Sequence, residues 1–232
     1  MVCVTRFNPT TTGALHLGHV YTILVNEWYA REYGGQFLVR FDDTWVLERF
    51  SQANRDRVAA QMRADIEWLG IEVDGWFSQA EMMPTVHDVW RKHGFDPPPY
   101  EDPVEVPIFV SHGKQWIGYP YQPLLAAERA VFDDMMGVTH LIRGEELAPD
   151  MALQCWFHDL FGLPKPHFIF LPRLKGSRGD ICKTFGGYTV AELRADGWPS
   201  DEVRYLLARG CLAAIGNGWA LQNLVPEPRV AL

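Results

Sequence analysis

Residues 2–41 read VCVTRFNPTTTGALHLGHVYTILVNEWYAREYGGQFLVRF, and the change of texture along them sets the fold class. Val2-Cys3-Val4 with Thr5 is short, apolar and β-branched, which predicts a strand. Asn8 to Gly13 collects Asn, Pro, Thr and Gly, the residues of a loop. Leu17 to Tyr33 has helical character and stops at Gly34-Gly35, where a glycine can take the left-handed conformation that ends a helix. Phe37 to Phe41 (FLVRF) is then a second apolar strand. Strand, loop, helix and strand in this order predict an α/β fold with a parallel sheet.

The alternation continues downstream. Ser51 is placed to cap a long helix ending near Leu69, with Val58, Met62, Ile66 and Leu69 on one side and Gly70 after it. Leu124 to Met136 and Asp150 to Phe161 predict helices. Thr139 to Arg143 (THLIR) and Phe168 to Leu171 predict strands. Thr189 with Glu192 three residues on forms a capping box. Ser200 is expected to cap a last helix through Val203, Leu206 and Leu207 that stops at Gly210, and the last ten or so residues to form a tail. From Pro84 to Pro123 the texture differs: Pro97-Pro98-Pro99, Pro103 and Pro107 break any long element, so this stretch is expected to be a connective insertion.

Composition narrows the function classes. With 232 residues, 47% hydrophobic and 22% charged, the chain can bury a full core, which excludes a mostly disordered protein. The formal net charge is -8 and only 5 of the 21 basic residues are lysines. That disfavours gripping a long nucleic acid by its phosphates, while leaving contact with a nucleic-acid end open. Cys3, Cys155, Cys182 and Cys211 are far apart, without a Cys-x-x-Cys pair, so neither structural zinc nor a redox motif is expected. The start lacks a basic segment followed by an apolar one, and no run of about 18 apolar residues occurs. A cytoplasmic chain without a membrane partner is expected. No repeat with a period of 20 to 50 residues is visible.

The strongest chemical feature is His16-Leu17-Gly18-His19, directly after the loop and at the start of the first helix. Two imidazoles three residues apart share a helical face, and the helix N-terminus adds partial positive charge. Such a face suits the phosphates of a nucleotide, and Gly18 lets a flat ring or a phosphate approach the backbone. Around it stand Thr5-Arg6-Phe7-Asn8-Pro9-Thr10-Thr11-Thr12-Gly13, Arg40-Phe41-Asp42-Asp43-Thr44, His140-Leu141-Ile142-Arg143-Gly144-Glu145-Glu146 and Ile181-Cys182-Lys183-Thr184-Phe185-Gly186. In that order the set resembles the catalytic domain of the class I aminoacyl-tRNA synthetases, specifically the glutamyl/glutaminyl group. Trp68-Leu69-Gly70-Ile71, Phe132-Asp133-Asp134 and Gly137-Val138-Thr139 resemble intervening family segments. The resemblance extends over about residues 2 to 215.

This resemblance implies a Rossmann-like parallel sheet of the HIGH type over residues 1–83 and 124–187. It implies a connective insertion at 84–123 and a helical, stem-like segment at 188–225, with no anticodon-binding domain. The implied activity is ATP-dependent formation of an aminoacyl-adenylate and transfer of the acyl group to an acceptor: tRNA, a small molecule or a carrier protein. Its truncated form is similar to the glutamyl-queuosine tRNA synthetase, so tRNA modification or a specialised ligation is expected before translational charging. ATP and Mg²⁺ are the implied cofactors. His16, His19 and Lys183 are the implied catalytic donors to phosphate, with Thr12 and Gly18 lining the nucleotide. Arg173, Lys175 and Arg178, just upstream of Lys183, either add positive potential or form an ordinary solvated basic loop. Arg6, Asn8, Asp42 and Arg143 are implied for the amino acid: Arg6 toward its carboxylate through a bidentate fork, Asp42 toward the α-ammonium, and Arg143 as the arginine of the family's IRG segment.

Three departures bear on the substrate. Ala126 and Ala127 fall where the family has a pocket tyrosine and asparagine, which Tyr119 or Tyr121 would have to replace, and Asn8 replaces a small residue. The loop of Lys183 has Asp180, Cys182 and Thr184 where the family has lysine, serine and arginine. The length is that of a catalytic core alone. Two alternatives remain: a nucleotidyltransferase, since H-x-G-H occurs there too, and a binding protein for an amino acid or tRNA end without catalysis.

Overall fold

The two apolar strands expected near the N-terminus pair with each other in parallel: β1 (Val4–Phe7) and β2 (Gln36–Phe41), joined by α1 (Leu17–Glu32). The computed structural model describes residues 2–43, 51–94, 110–111, 114–115, 122–172, 175–176, 179–180 and 189–217. After β2 come α2 (Gln52–Trp68), β3 (Gly75–Ser78) and α3 (Gln79–Lys92), then a two-stranded ribbon of β4 (Val110–Ser111) and β5 (Lys114–Gln115). The chain continues with α4 (Gln122–Met135), β6 (His140–Gly144), a 3₁₀ turn at Glu145–Asp150, α5 (Met151–Phe161) and β7 (His167–Leu171). A second ribbon, β8 (Lys175–Gly176) with β9 (Gly179–Asp180), precedes α6 (Val190–Ala195) and α7 (Ser200–Asn217).

Five strands form one sheet in the order β3-β2-β1-β6-β7, every pair parallel. This is the Rossmann-like α/β architecture expected. The order reverses between β1 and β6, and in such sheets the crevice at the carboxyl ends of the strands beside the reversal is where ligands bind. Side chains alternate between the faces. Phe7, Phe37, Val39 and Phe41 pack with α1, α2, α6 and α7, while Val4, Leu38 and Leu141 pack with α3, α4 and α5.

Local signals hold at several element ends. The Ser51 hydroxyl accepts from the Asn54 N–H at the start of α2, and Thr189 and Glu192 form their capping box at the start of α6. Two elements run through expected breaks. Pro84 lies inside α3, so the chain is helical across the expected start of the insertion. Met82, Met83, Val86 and Trp90 bury one side of this helix, and that apolar packing outweighs the missing proline N–H. α7 continues through Gly210 to Asn217, because the following Cys-Leu-Ala-Ala-Ile stretch supplies no helix breaker and an interior glycine costs only about 1 kcal/mol. The expected tail lies outside the described residues. None of the described helices is long and apolar enough to cross a membrane.

Candidate active site

The alternation that buries Val4, Leu38 and Leu141 toward α4 and α5 turns Arg6, Arg40 and Arg143 to the same side, each two residues further along its strand. Asp42 follows Arg40 by two. Four charged residues thus reach the carboxyl ends of three adjacent strands, beside the order reversal. All are buried, Arg40 completely.

One carboxylate, Asp133 of α4, ties this cluster together. Arg6 grips it with a fork, Nε to Oδ1 at 2.8 Å and Nη2 to Oδ2 at 3.1 Å, and its remaining Nη1 donates to Asn8 Oδ1 at 2.8 Å. Gln154 of α5 donates from Nε2 to Asp133 Oδ2 at 2.8 Å and accepts from Arg143 Nη1 at 3.3 Å. Arg40 Nη1 lies 3.6 Å from Asp133 Oδ1, and its guanidinium stacks 4.5 Å over the Phe132 ring. Burial alone would raise the Asp133 carboxyl, but Arg6 and then Arg40 hold it below the ordinary carboxylate range.

Positive charge exceeds what this carboxylate can use. Among the described residues, no guanidinium nitrogen of Arg40 has a hydrogen-bond partner, nor do Nε and Nη2 of Arg143. Burial, with repulsion from Arg6, pulls both guanidiniums down to about 10. Buried donors without partners are costly on this scale, and an anion that accepts from them recovers that cost. The fork of Arg6 is held by Asp133, so Arg143 has more donors left for a ligand than Arg6 does. Asn8 orients Arg6.

Asp42 is the complement. Its carboxyl is pushed up to about 6, first by burial, against the pull of Arg40 and Arg129. Its Oδ1 has no partner among the described residues, whereas its backbone is pinned: N–H to Pro9 O at 2.9 Å, and O from Thr11 N at 3.1 Å. A buried carboxylate beside spare guanidiniums suits an incoming ammonium. The neighbouring Asp43 has a different task, accepting from Ser78 Oγ at 2.6 Å and Ala80 N at 2.8 Å at the start of α3.

A stability prediction follows from Asp42. A carboxyl raised in the folded state favours folding while it is protonated, so its contribution is complete below about pH 4 and is lost as pH rises through about 6. Asp42→Asn is expected to stabilise the ligand-free protein by about 3 kcal/mol at pH 8 and by little at pH 4. Urea melts at the two pH values check this, and an equal effect at both would exclude it.

His16 is the N-cap of α1, a position usually held by Ser, Thr, Asp or Asn. Its Nδ1 accepts from the Gly18 N–H at 3.1 Å, and His19 Nδ1 accepts from the His16 N–H at 3.4 Å, a reciprocal box made of two imidazoles. The rings stack at 3.7 Å. With Nδ1 accepting, the proton of each neutral ring sits on Nε2, so the cap fixes one N–H donor per ring. The first turn of α1 contains no acidic residue, so its positive end is not neutralised from within.

Leu15 and His16 also meet the far end of the chain. Val190 N donates to Leu15 O at 2.9 Å, and His16 bridges Thr189 antiparallel. Lys183, six residues before Thr189, lies outside the described residues, as do Tyr119, Tyr121, Arg173, Arg178, Cys182 and Thr184. Thr12 stands in the loop between β1 and α1, its hydroxyl 3.4 Å from that of Thr10. Ala126 and Ala127 are buried in the core between α3, α4 and α5. Among the described residues no group of three or more His, Cys, Asp or Glu is placed to hold a metal ion.

Comparison with known proteins fits this geometry. Residues 2–92 match the family of class I tRNA synthetases (E and Q), catalytic domain. That is the group the sequence motifs resemble. The chain is 28% identical over 268 residues to glutamate–tRNA ligase 2 of Sphingopyxis alaskensis, covering 90% of this chain and 60% of that protein. It is 29% identical over 232 residues to glutamate–tRNA ligase 1 of Rubrobacter xylanophilus, covering 88% of this chain and 53% of that one. The chain therefore spans 60% or less of the length of these relatives. In fold it is similar to a glutamate tRNA ligase from Elizabethkingia meningosepticum in complex with its amino acid, with TM-score 0.64, 18% identity and coverage of 90% and 60%. A tyrosyl-tRNA synthetase from Archaeoglobus fulgidus gives TM-score 0.58 at 16% identity, covering 81% and 60%. The synthetase-like sheet thus places β1, β2 and β6 side by side, and with them Arg6, Arg40, Asp42 and Arg143.

Asp133, Arg40 and Gln154 form a charged network that the motifs alone do not display. One signal was present: a charged residue in the apolar strand FLVRF requires a buried counter-charge.

Proposed function

We propose that the chain activates an acidic amino acid with ATP, forming an aminoacyl-adenylate and pyrophosphate, and transfers the acyl group to an acceptor. The observation that carries this reading is the charge balance of the buried cluster. With Arg6 satisfied by Asp133, Arg40 and Arg143 face Asp42, leaving one positive charge in excess. A zwitterionic amino acid with a second carboxylate supplies an ammonium for Asp42 and a net negative charge for the arginines.

In this reading an oxygen of the α-carboxylate attacks the α-phosphorus of ATP. The new bond is O–P, the bond that breaks joins the α-phosphorus to the bridging oxygen, and pyrophosphate leaves with the electron pair. His16 and His19 donate from Nε2 to phosphate oxygens at the N-terminus of α1, whose first turn carries no acidic residue, and Lys183 adds an ammonium on the leaving side. Mg²⁺ would travel with the phosphates and neutralise part of their charge. Acceptors in scope are tRNA, as in tRNA modification, a small molecule and a carrier protein. The net charge of -8 favours the latter two.

The test is amino-acid-dependent exchange of labelled pyrophosphate into ATP, with and without bulk tRNA. Exchange with glutamate or aspartate is expected, and Lys183→Ala should reduce it at least about a hundredfold. Exchange without any amino acid would instead support a nucleotidyltransferase. Silence under every condition with ATP binding intact would support a non-catalytic binding protein.

A further inference from the structure

Arg129 of α4 follows Ala126 by three residues and precedes Asp133 by four, so all three lie on one side of the helix. It differs from the other arginines of the cluster in access: its side chain is 22% exposed, whereas Arg6, Arg40 and Arg143 are at 5% or below. Its Nη1 is 3.3 Å from Asp150 Oδ2, a carboxylate that is itself 23% exposed. Its charge also acts inward, favouring the ionised form of Asp42 and opposing the charges of Arg40 and Arg143. The guanidinium therefore stands at the rim of the cluster, within electrostatic range of the ammonium acceptor and of the arginine with spare donors.

We propose that Arg129 is a specificity-determining residue that receives the side-chain acid group of a dicarboxylic amino acid, leaving Asp150 to do so. The inference rests on the activation reading above and names the group that selects the substrate within it. Two considerations support it. The pair with Asp150 is long and only part-buried, so it is weaker than a fully buried pair and can exchange. A guanidinium fork also discriminates carboxylate from amide, because two parallel N–H donors match two acceptor oxygens. Around the site, the charged groups that Arg129 meets or acts on are Asp150 at the end of the 3₁₀ turn, Arg40 on β2, Asp42 just after β2, and Arg143 on β6.

The test is calorimetric binding of L-glutamate, L-aspartate, L-glutamine and L-leucine to the full chain and its variants. Arg129→Ala is expected to weaken binding of the preferred dicarboxylic acid by about 10- to 100-fold while changing glutamine by less than about threefold. Arg129→Lys should recover part of the loss, and Asp150→Asn should tighten acidic ligands several-fold by removing the competitor. Unchanged binding in Arg129→Ala, or an equal loss for acidic and amide ligands, overturns the proposal and leaves the activation reading standing. A wild-type chain that binds no amino acid overturns both. Circular-dichroism melts accompany each variant. If Arg129→Ala does not fold, the Arg129→Lys and Asp150→Asn pair decides by the same selectivity.

Discussion

Asp133→Ala is expected to cost about 3–5 kcal/mol of folding stability, the largest single loss of any substitution considered for this chain. The carboxylate is inaccessible to solvent and carries the Arg6 fork, the Gln154 amide and the weaker contact with Arg40. Removing it leaves two buried guanidiniums without their main counter-charge and frees Gln154 from its anchor, so the link onward to Arg143 loosens as well. Against the 5–15 kcal/mol of a typical domain, that is a large fraction. Equilibrium urea unfolding measures it. A loss below about 1 kcal/mol would mean that the cluster does not hold α4 to the sheet. The double substitution Arg6→Met with Asp133→Leu separates pair energy from burial: replacing both charges with apolar side chains should recover more than about 1 kcal/mol relative to the sum of the singles.

The Asp133 network also marks where sequence reading stops. Residues 2–41 display strand, loop, helix and strand because each is written in local chemistry: β-branched runs, the turn residues of Asn8 to Gly13, and the Gly34-Gly35 stop. Ser51 and Thr189 were legible as caps for the same reason. Arg6 and Asp133 are 127 residues apart, and nothing local says that one grips the other. Their meeting depends on β1 lying next to β6 in the sheet, which brings α4 over the carboxyl end of β1. The short strand Gly75–Ser78 carries no strong local signal because it occupies the sheet edge, where four residues of mixed polarity suffice. Pro84 misled in the opposite way: proline rules describe the backbone, and α3 is decided by the side it buries. In the site, Arg6, Asn8, Asp42 and Arg143 were singled out from motifs. The structure then divides their work, since Arg6 and Asn8 are bound to each other and to Asp133 while Arg143 and Asp42 keep atoms to spare.

His16→Ala is expected to lower the exchange rate by about 10²- to 10³-fold and also to cost about 1 kcal/mol of stability. The two effects have different atoms behind them. Nδ1 accepts from the Gly18 N–H and so serves the helix, while Nε2, which carries the proton in the neutral ring because Nδ1 is engaged, is the donor that the proposed activation assigns to phosphate. His16→Asn separates them. An asparagine at the N-cap accepts the same kind of backbone N–H through Oδ1, so most of the stability should return. The shorter amide places its donor elsewhere and cannot stack on His19 as the imidazole does at 3.7 Å, so the rate should stay low. Thermal melts and pyrophosphate exchange on the two variants read the two roles independently. If Asn restores exchange as well as stability, the ring contributes only as a cap and the donors to phosphate must come from His19 and Lys183. If neither variant loses rate, the N-terminus of α1 is not where the phosphates bind, and the activation reading loses its nucleotide site.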